Sequence, residues 1–380
     1  MNWRKKSKKD WGRLDLNSNK SSKWAISDFV EIIGGGTPKT SISEYWNGSI
    51  PWLSVKDFGN DDRYVFETEK TITNEGLNNS STKLLQKDDI IISARGTVGE
   101  LAMLPFPMAF NQSCYGIRPK DDSIDKTFLY YLLRNSVQLL RKNTHGSVFD
   151  TITRDTFKGI EVEVPSIEEQ VKIAGILSSL DDKIAENKKI NHHLEQIAKA
   201  IFYEKFGNQV PNGLLGDLAS VSSGKRPPIK VSERTATEDI PILGAASIMG
   251  YTSKSLYSEK ILVTGRVGTH GIIQRYNRPC WPSDNALVLK SDDYELVYQN
   301  LLSIDFSSMN RGSTQPLITQ TDLKNVAIYI PTQIELSDFE DTVGTIMQQY
   351  ESNIVANESL VQLRDSLLPK LMSGEISVTD

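Results

Sequence analysis

The sequence predicts an α+β protein of two pseudo-two-fold-related globular domains, separated by a long antiparallel two-helix coiled coil. Three observations predict this fold: an internal repeat, many short β-branched runs broken by Gly, Pro, Asn and Asp, and two long stretches with apolar residues spaced 4-3-4-3. For a chain of 380 residues, two domains are the expected number. No run approaches the roughly 18 consecutive apolar residues of a membrane-spanning helix, so no membrane role is expected.

The repeat consists of short runs that recur in the same order. Ile-Pro-Trp-Leu at 50–53 returns as Ile-Pro-Ile-Leu at 240–243, and each run follows a glycine-containing loop. The strand-like run before Arg95 is matched by the run before Arg266, 171 residues later, and Pro165 is matched by Pro331, 166 residues later. Because the spacing shortens only between the runs, we predict a second copy that is shorter in its middle.

Changes in this pattern predict the domain boundaries. They delimit a basic N-terminal arm at 1–23, globular domains at 24–165 and 211–330, a central helical region at 166–210 and a C-terminal helical region at 331–380. The arm has no apolar run after its basic residues, so we do not expect a secretory signal. Only two cysteines are present, which fits a reducing cytoplasm.

The two helical regions share a 4-3 spacing that is typical of a coiled-coil seam. Asn187 and Asn191 lie within the first seam, and Asn353 and Asn357 lie at the matching places of the second. An antiparallel pairing lets these amides meet, whereas a slipped register sets them against leucine. We therefore predict an antiparallel pair of helices of roughly 35–40 residues that separates the two domains. The alternative is two ordinary amphipathic helices, each packed on its own domain.

The charge is distributed unevenly. The chain has 43 basic and 48 acidic residues, and a net charge of −5 argues at first against a nucleic-acid partner. However, residues 1–23 carry a net +6 and residues 331–380 a net −7. We assign the acidic C-terminal helix to protein contacts, so the net charge does not exclude nucleic acid elsewhere.

Two related but unlike domains suit a target with two unlike halves. Duplex DNA is such a target, because half-sites about 34 Å apart are read by modules with two-fold or pseudo-two-fold symmetry. Unlike modules predict an asymmetric, bipartite sequence.

Several strings, in this order, resemble the specificity (S) subunits of type I restriction–modification systems. They are Gly-Gly-Gly-Thr-Pro at 34–38, Trp-Asn-Gly-Ser-Ile-Pro-Trp at 46–52, Gly-Thr-Val-Gly at 96–99, Asn-Gln at 111–112, Pro-Ser-Ile-Glu-Glu-Gln at 165–170 and Leu-Leu-Pro-Lys-Leu-Met-Ser-Gly-Glu-Ile at 367–376. The resemblance implies two target-recognition domains that alternate with two conserved helical regions. The second domain departs from the pattern, with Gly-Lys-Arg-Pro-Pro at 224–228, which suggests a different half-site.

The resemblance also implies the partners and their cofactors. Two methyltransferase (M) subunits would bind S-adenosylmethionine, and restriction (R) subunits, which are motor nucleases, would bind ATP and Mg. The chain itself would be non-catalytic and would hold no cofactor.

The sequence lacks the motifs of the chemistry assigned to those partners. It contains neither the Asn/Asp-Pro-Pro-aromatic string of a DNA methyltransferase nor a GxxxxGK[ST] loop, and its four histidines form no metal set. Two alternatives stay open: a coiled-coil scaffold with peptide-binding domains and no DNA role, and an enzyme whose site has no recognisable motif.

Candidate DNA contacts fall into matched pairs of segments. The glycine loops suit phosphate, the arginines suit guanine or phosphate, and the polar runs suit adenine or cytosine edges. Ordinary turns, strand caps and a buried structural arginine are the rival explanations, and Trp46 and Trp52 are expected in the core. The predicted DNA-binding residues are Gly36, Thr37, Lys39, Arg95, Thr97, Asn111, Gln112, His145, Ser147, Lys225, Arg226, Lys230, Arg266, Thr269, Ser283, Asn285, Arg311, Ser313 and Gln315.

Overall fold

The structure is a computed structural model that describes residues 23–59, 61–143, 151–267, 271–306, 308–309 and 317–378. The chain divides into two compact units. Unit 1 comprises Met1–Asn187 and Val355–Asp380, and unit 2 comprises Lys188–Ile354. Each unit therefore combines a globular domain with part of both long helices.

Unit 1 begins with short strands and ends in a long helix. Its elements are β1 (Lys23–Ala25), α1 (Ile26–Phe29), β2 (Val30–Gly34), β3 (Trp46–Leu53), β4 (Lys70–Ile72), α2 (Asn74–Asn78), β5 (Leu84–Leu85), β6 (Ile90–Ser93), β7 (Leu101–Met103), β8 (Met108–Phe110), β9 (Cys114–Pro119), α3 (Lys126–Asn143), α4 (Arg154–Gly159), β10 (Glu161–Glu163) and α5 (Ile167–Phe206), of which α5 continues into unit 2.

Unit 2 repeats this succession with fewer elements. They are β11 (Gly213–Leu214), α6 (Leu215–Leu218), β12 (Ser220–Ser223), β13 (Ile240–Leu243), β14 (Ile248–Thr252), β15 (Ile261–Gly265), β16 (Gln274–Tyr276), β17 (Trp281–Pro282), β18 (Ala286–Lys290), α7 (Tyr294–Ser303), α8 (Gln320–Lys324), β19 (Ala327–Ile328) and α9 (Gln333–Met372), of which α9 continues into unit 1.

The strand order confirms the internal repeat. In unit 1 the described strands form the sheets β2-β9-β6-β7, β4-β3-β8-β5 and β1-β10. In unit 2 the corresponding orders are β12-β18-β15-β16, β14-β13-β17 and β11-β19. The parallel pair β3·β8 recurs as β13·β17, and the other described pairs are antiparallel. Among the described residues, β5 and α2 have no counterpart in unit 2, which agrees with the prediction of a second copy shortened in its middle.

The central strand of each unit is buried on both faces. Ile90 and Ile92 of β6 pack with Phe128 of α3 and Leu177 of α5, whereas Ile91 packs towards the second sheet. This alternation follows from the two-residue period of a strand. In unit 2, Leu262 likewise belongs to the helix-side core, and Ile261 and Val263 face the other way.

The long helices begin with the same capping box. The hydroxyl of Ser166 donates to the carboxylate of Glu169 at 2.9 Å, and Thr332 and Glu335 repeat this bond at 2.8 Å. A Ser or Thr followed three residues later by Glu satisfies backbone amides at a helix start. Each helix spans 40 residues, at the upper end of the predicted length.

In unit 1 the two helices are antiparallel. Asn187 donates to Asn357 at 2.8 Å, and Arg364 donates to Asp181 at 2.7 Å, so the partner number falls as the number along α5 rises.

Unit 2 has the same arrangement. Asn353 donates to Asn191 at 2.8 Å, and Lys205 pairs with Asp338 at 2.7 Å. The predicted pairing of the four asparagines is confirmed.

The alternative of helices packed only on their own domains is wrong. Helix α9 follows the unit 2 globular domain, and its Phe339 and Val343 lie in that unit's core. Its Leu368 and Leu371 lie in the core of unit 1.

Candidate nucleic-acid interface

The two glycine loops occupy equivalent places. The backbone amide of Gly36 donates to the carbonyl oxygen of Phe110 at 3.0 Å, and that of Lys225 donates to Pro282 at 3.0 Å. A tryptophan indole N–H donates to the backbone of each loop. In unit 1, Trp52 donates to the carbonyl oxygen of Gly36 at 3.1 Å. In unit 2, Trp281 donates to the carbonyl oxygen of Lys225 at 2.7 Å. Lys225 therefore stands where unit 1 has Gly36.

Glycine is required in these loops because the backbone passes close to the polar run beside it. A Cβ on Gly35 would lie 2.1 Å from the oxygen of Asn111, and one on Gly224 would lie 2.2 Å from the oxygen of Ser283. Gly36 is itself buried. Its amide is bound within the protein, so the expectation that this amide approaches phosphate is wrong.

The side chains around the unit 1 loop remain at the surface. The hydroxyl of Thr37 donates to the Oε1 atom of Gln112, which joins the loop to the polar run. Lys39, Thr97 and Gln112 are exposed. The structure thus brings Thr37 and Gln112 together, as two of the predicted contact residues.

The polar runs also match between the units. The backbone amide of Asn111 donates to the carbonyl oxygen of Leu53 at 2.9 Å, and the backbone amide of Ser283 donates to the carbonyl oxygen of Leu243 at 2.9 Å. Their exposure differs, because Asn111 is half-buried whereas Ser283 is 1% exposed. The Ser283 hydroxyl has no hydrogen-bond partner among the described residues, and its burial contradicts the expected DNA contact. Asn285 is exposed.

The two candidate arginines do not occupy equivalent positions. The amide of Ala94 donates to Ser113 at 2.7 Å, and the amide of Arg266 donates to Asn285 at 2.8 Å. The carbonyl oxygens of Ala94 and Arg266 then each accept a backbone amide at 3.0 Å. Arg266 therefore corresponds to Ala94, and the expected match with Arg95 is wrong by one residue.

This shift changes the surroundings of each side chain. A shift of one residue along a strand turns the side chain to the opposite face. Arg95 is exposed, and Arg266 is half-buried. The explanation of Arg95 as a buried structural arginine is therefore wrong.

Arg95 borders a pocket in unit 1 with a volume of about 380 Å³. Three cations line it, together with polar side chains of the strand ends and one carboxylate. The lining is Trp52, Ser54, Val55, Lys56, Glu69, Lys70, Arg95, Gly96, Asn111 and Ser113. Lys56 and Lys70 were not among the predicted contact residues. Lys56 could have been predicted from the sequence, because it closely follows Leu53, the end of a strand-like run.

In unit 2, three cations lie on or beside the glycine loop. Lys225, Arg226 and Lys230 are all exposed, and carbons of the Lys230 side chain lie close to the backbone of Gly250 on β14. The loop is a basic surface with one side against the sheet.

Six predicted contact residues lie outside the described residues. They are His145, Ser147, Thr269, Arg311, Ser313 and Gln315. Residues 1–22 of the predicted basic arm also lie outside them.

The described residues offer no metal cluster of His, Cys, Asp or Glu. Cys114 and Cys280 are buried, and burial raises the pKa of each thiol to about 12. Trp52 is 6% exposed and contacts Trp46 edge to face at 5.2 Å, which confirms Trp52 as a core residue. No described helix has the length and apolar character needed to cross a membrane.

Two copies of one α+β domain, with equivalent loops and strand ends that carry different polar and basic side chains, define a tandem recognition protein. The family model for the type I restriction modification DNA specificity domain matches residues 20–196 and 212–361. The chain belongs to this family of DNA-recognition subunits and carries the specificity domain twice.

Relatives of known classification agree with the family match. The chain is 29% identical to the type I restriction enzyme MjaIX specificity subunit of Methanocaldococcus jannaschii, over 93% of both chains. It is 24% identical to the EcoprrI specificity subunit of Escherichia coli, over 84% of this chain and 87% of that one. The fold is similar to the crystal structure of the type I S subunit from M. genitalium, with a TM-score of 0.55 and 18% identity over 94% of this chain and 98% of that one.

Proposed function

We propose that this chain selects the DNA site of a type I restriction–modification complex, and that each unit reads one half of an asymmetric, bipartite sequence. The observation that carries the proposal is one fold with different side chains at equivalent positions. Gly36 and Ala94 of unit 1 correspond to Lys225 and Arg266 of unit 2. Because side chains read base edges, two such modules select two different half-sites.

The chain acts inside the cell with partners that carry out the chemistry. Two methyltransferase subunits bind S-adenosylmethionine, and restriction subunits bind ATP and Mg. In this proposal the chain itself is non-catalytic. A peptide-binding scaffold is not favoured, because the family match covers both globular domains.

The test is to co-purify the full chain with its methyltransferase partner and to map the methylated sites in DNA. The expected result is a bipartite, asymmetric motif. A continuous palindrome would contradict the proposed division of labour.

Exchanging residues 211–330 for the same segment of another family member assigns the halves. One half of the motif should change and the other should stay. A change in both halves would show that the units do not read independently.

A further inference from the structure

The two units place cations at different positions of the same fold. On β4, Lys70 lies opposite Trp52, and the corresponding residue of unit 2, opposite Ile242, is Gly250. Arg95 likewise corresponds to Val267, which follows Arg266. Two cations of unit 1 therefore have uncharged counterparts in unit 2.

The opposite holds at two other positions. Lys225 corresponds to Gly36, and Arg266 corresponds to Ala94. Cations thus surround the pocket in unit 1, whereas in unit 2 they lie on the glycine loop and at the end of β15.

We propose that unit 1 reads a guanine of its half-site through Arg95, with Asn111 beside it, and that unit 2 has no equivalent contact at this position. The proposal rests on the function proposed above and assigns the base-reading residue within it. Lys225 and Arg226 of unit 2 instead hold phosphate.

Arg95 is distinctive among the arginines of unit 1 whose side chains the structure describes. The others are engaged within the protein: Arg63, Arg118, Arg134 and Arg364 in ion pairs and Arg154 over the ring of Tyr115. Arg95 is exposed and has no side-chain partner among the described residues. Its five N–H donors are thus available to an outside ligand.

The backbone beneath Arg95 is fixed, although the side chain is free. Its amide donates to Ser113 at 3.3 Å, alongside the 2.7 Å bond of the preceding residue to the same oxygen. The following Gly96 has a φ of +80°, a conformation that favours glycine. The sheet therefore fixes the backbone from which the Arg95 side chain extends.

The neighbouring amide supplies a donor as well. The Oδ1 atom of Asn111 accepts a hydrogen bond from the backbone amide of Ser113 at 3.1 Å, and its Nδ2 group remains a donor. Lys56 and Lys70 on the pocket wall are donors, and Glu69 is the one carboxylate among the lining residues. The pocket therefore presents mainly donors.

A surface rich in donors fits a base edge rich in acceptors. In the major groove guanine offers two acceptors, N7 and O6, whereas adenine pairs its N7 acceptor with an N6 donor. The planar guanidinium can bind both guanine atoms at once, which an ammonium cannot do. Phosphate is also an acceptor, so the experiment must separate base reading from phosphate binding.

The experiment selects bound duplexes from a randomised DNA library. It uses the full chain in complex with its methyltransferase partner, and sequencing gives the base frequency at every position. For Arg95→Ala we expect the preference for guanine at one position of one half-site to fall roughly 10- to 100-fold. The other half-site should stay as in the wild type.

Three further variants make the result specific. Arg95→Lys keeps the charge but removes the two-pronged contact, so it should lose the guanine preference and retain more affinity than Arg95→Ala. Lys87→Ala removes an exposed charge that precedes the start of β6, whereas Arg95 follows its end. This variant should leave the base preferences in both half-sites unchanged. Lys225→Ala/Arg226→Ala should weaken binding without altering the guanine position.

Each adverse outcome has a distinct meaning. If Arg95→Ala lowers affinity equally for all sequences and lowers the salt dependence, Arg95 holds phosphate and the inference is overturned. An unchanged selection also overturns it, with the proposed function intact. If the wild-type complex selects no sequence, both proposals fail.

Discussion

Arg364 is a charged residue buried within the helix pair of unit 1. It is 1% exposed and bonds to Asp181 at 2.7 Å, to Asp61 at 2.5 Å and to Asp365 at 2.9 Å. Burial alone would lower the pKa of its guanidinium, but the bond to Asp365 and the charges of Asp61 and Asp181 raise it above the ordinary value. The cluster joins a loop of the globular domain to both long helices.

Removing Arg364 should destabilise unit 1 strongly. In Arg364→Ala, the buried carboxylate of Asp181 keeps only the hydroxyl of Tyr131 as a described hydrogen-bond partner. Breaking a buried ion pair on one side costs about 3–5 kcal/mol. Urea denaturation should therefore give a much lower midpoint.

The double variant Arg364→Met/Asp181→Leu is the control for that loss. It removes both charges and should recover part of the stability, because buried pairs are often replaceable by apolar residues of similar volume. Equal midpoints for the single and double variants would contradict this account.

Two of the polar contacts in unit 2 join its helices at buried positions. One is the asparagine pair of α5 and α9, and the other lies at the start of α7, where Glu340 of α9 accepts the amides of Glu295 at 3.2 Å and Leu296 at 2.8 Å. Burial raises the pKa of Glu340 to about 7, although the two hydrogen bonds from the backbone amides act to lower this pKa. Each contact fixes how one helix lies against another.

The stability of unit 2 should fall as Glu340 ionises. Because its folded pKa is raised, the folded state binds more protons than the unfolded state, and its contribution is complete below about pH 4.5 and lost as the pH rises through about 7. Between pH 5 and 8, the free energy of unfolding of the wild type, measured by urea denaturation, should therefore fall relative to that of Glu340→Gln.

Glu335→Gln on the same helix is the matched control. The hydroxyl and the amide of Thr332 lower the pKa of Glu335, so its contribution is present above about pH 4.5 and lost at lower pH. Its difference from wild type should stay flat between pH 5 and 8. A slope like that of Glu340→Gln would contradict the assignment.

The asparagine pair should affect register more than stability. Asn191→Leu leaves the buried Nδ2 group of Asn353 without its acceptor, which costs about 1–3 kcal/mol, while the Oδ1 atom of Asn353 still accepts from Gln349. Asn191→Leu/Asn353→Leu removes both amides and should restore the urea midpoint, with a less uniquely paired seam. A double variant as unstable as the single one would show that the bond itself supplies the stability.

At the scale of the whole molecule, charge is distributed unevenly along the chain. The net charge of −5 hides a C-terminal segment, residues 331–380, that carries −7. The rest is close to neutral, with exposed cations at the unit 1 pocket and on the unit 2 glycine loop. We therefore expect weak DNA binding by the isolated chain and tighter binding once its partners add contacts.

The salt dependence of binding should reveal the phosphate contacts. Each neutralised phosphate contributes a slope of about −0.9 to the plot of log affinity against log salt concentration. For Lys225→Ala/Arg226→Ala/Lys230→Ala, measured in the complex, we expect a slope smaller by roughly 2 to 3. The same number of charges removed from α5, in Lys172→Ala/Lys183→Ala/Lys189→Ala, should leave the slope unchanged, and an unchanged slope for the loop variant would refute its phosphate contacts.

The sequence by itself determined the tandem repeat, the helix pair and its asparagine register. These features are periodic or local: a 4-3 spacing sets a helical seam, and a Ser-x-x-Glu string sets a helix start. The resemblance to the specificity family was equally readable, since its strings recur in order along the chain.

Only the tertiary structure decided which side chains face outward at the candidate site. Arg95 and Arg266 look equivalent in the sequence. The backbone hydrogen bonds show instead that Arg266 of unit 2 occupies the position of Ala94 in unit 1. Ser283 of unit 2 is buried, whereas Asn111 at the equivalent position of unit 1 is half-buried. The backbone amide of Gly36 donates to the carbonyl oxygen of Phe110. The physical reason is that a strand's register and burial depend on hydrogen bonds to segments far away in the chain, and a shift of one residue reverses the face.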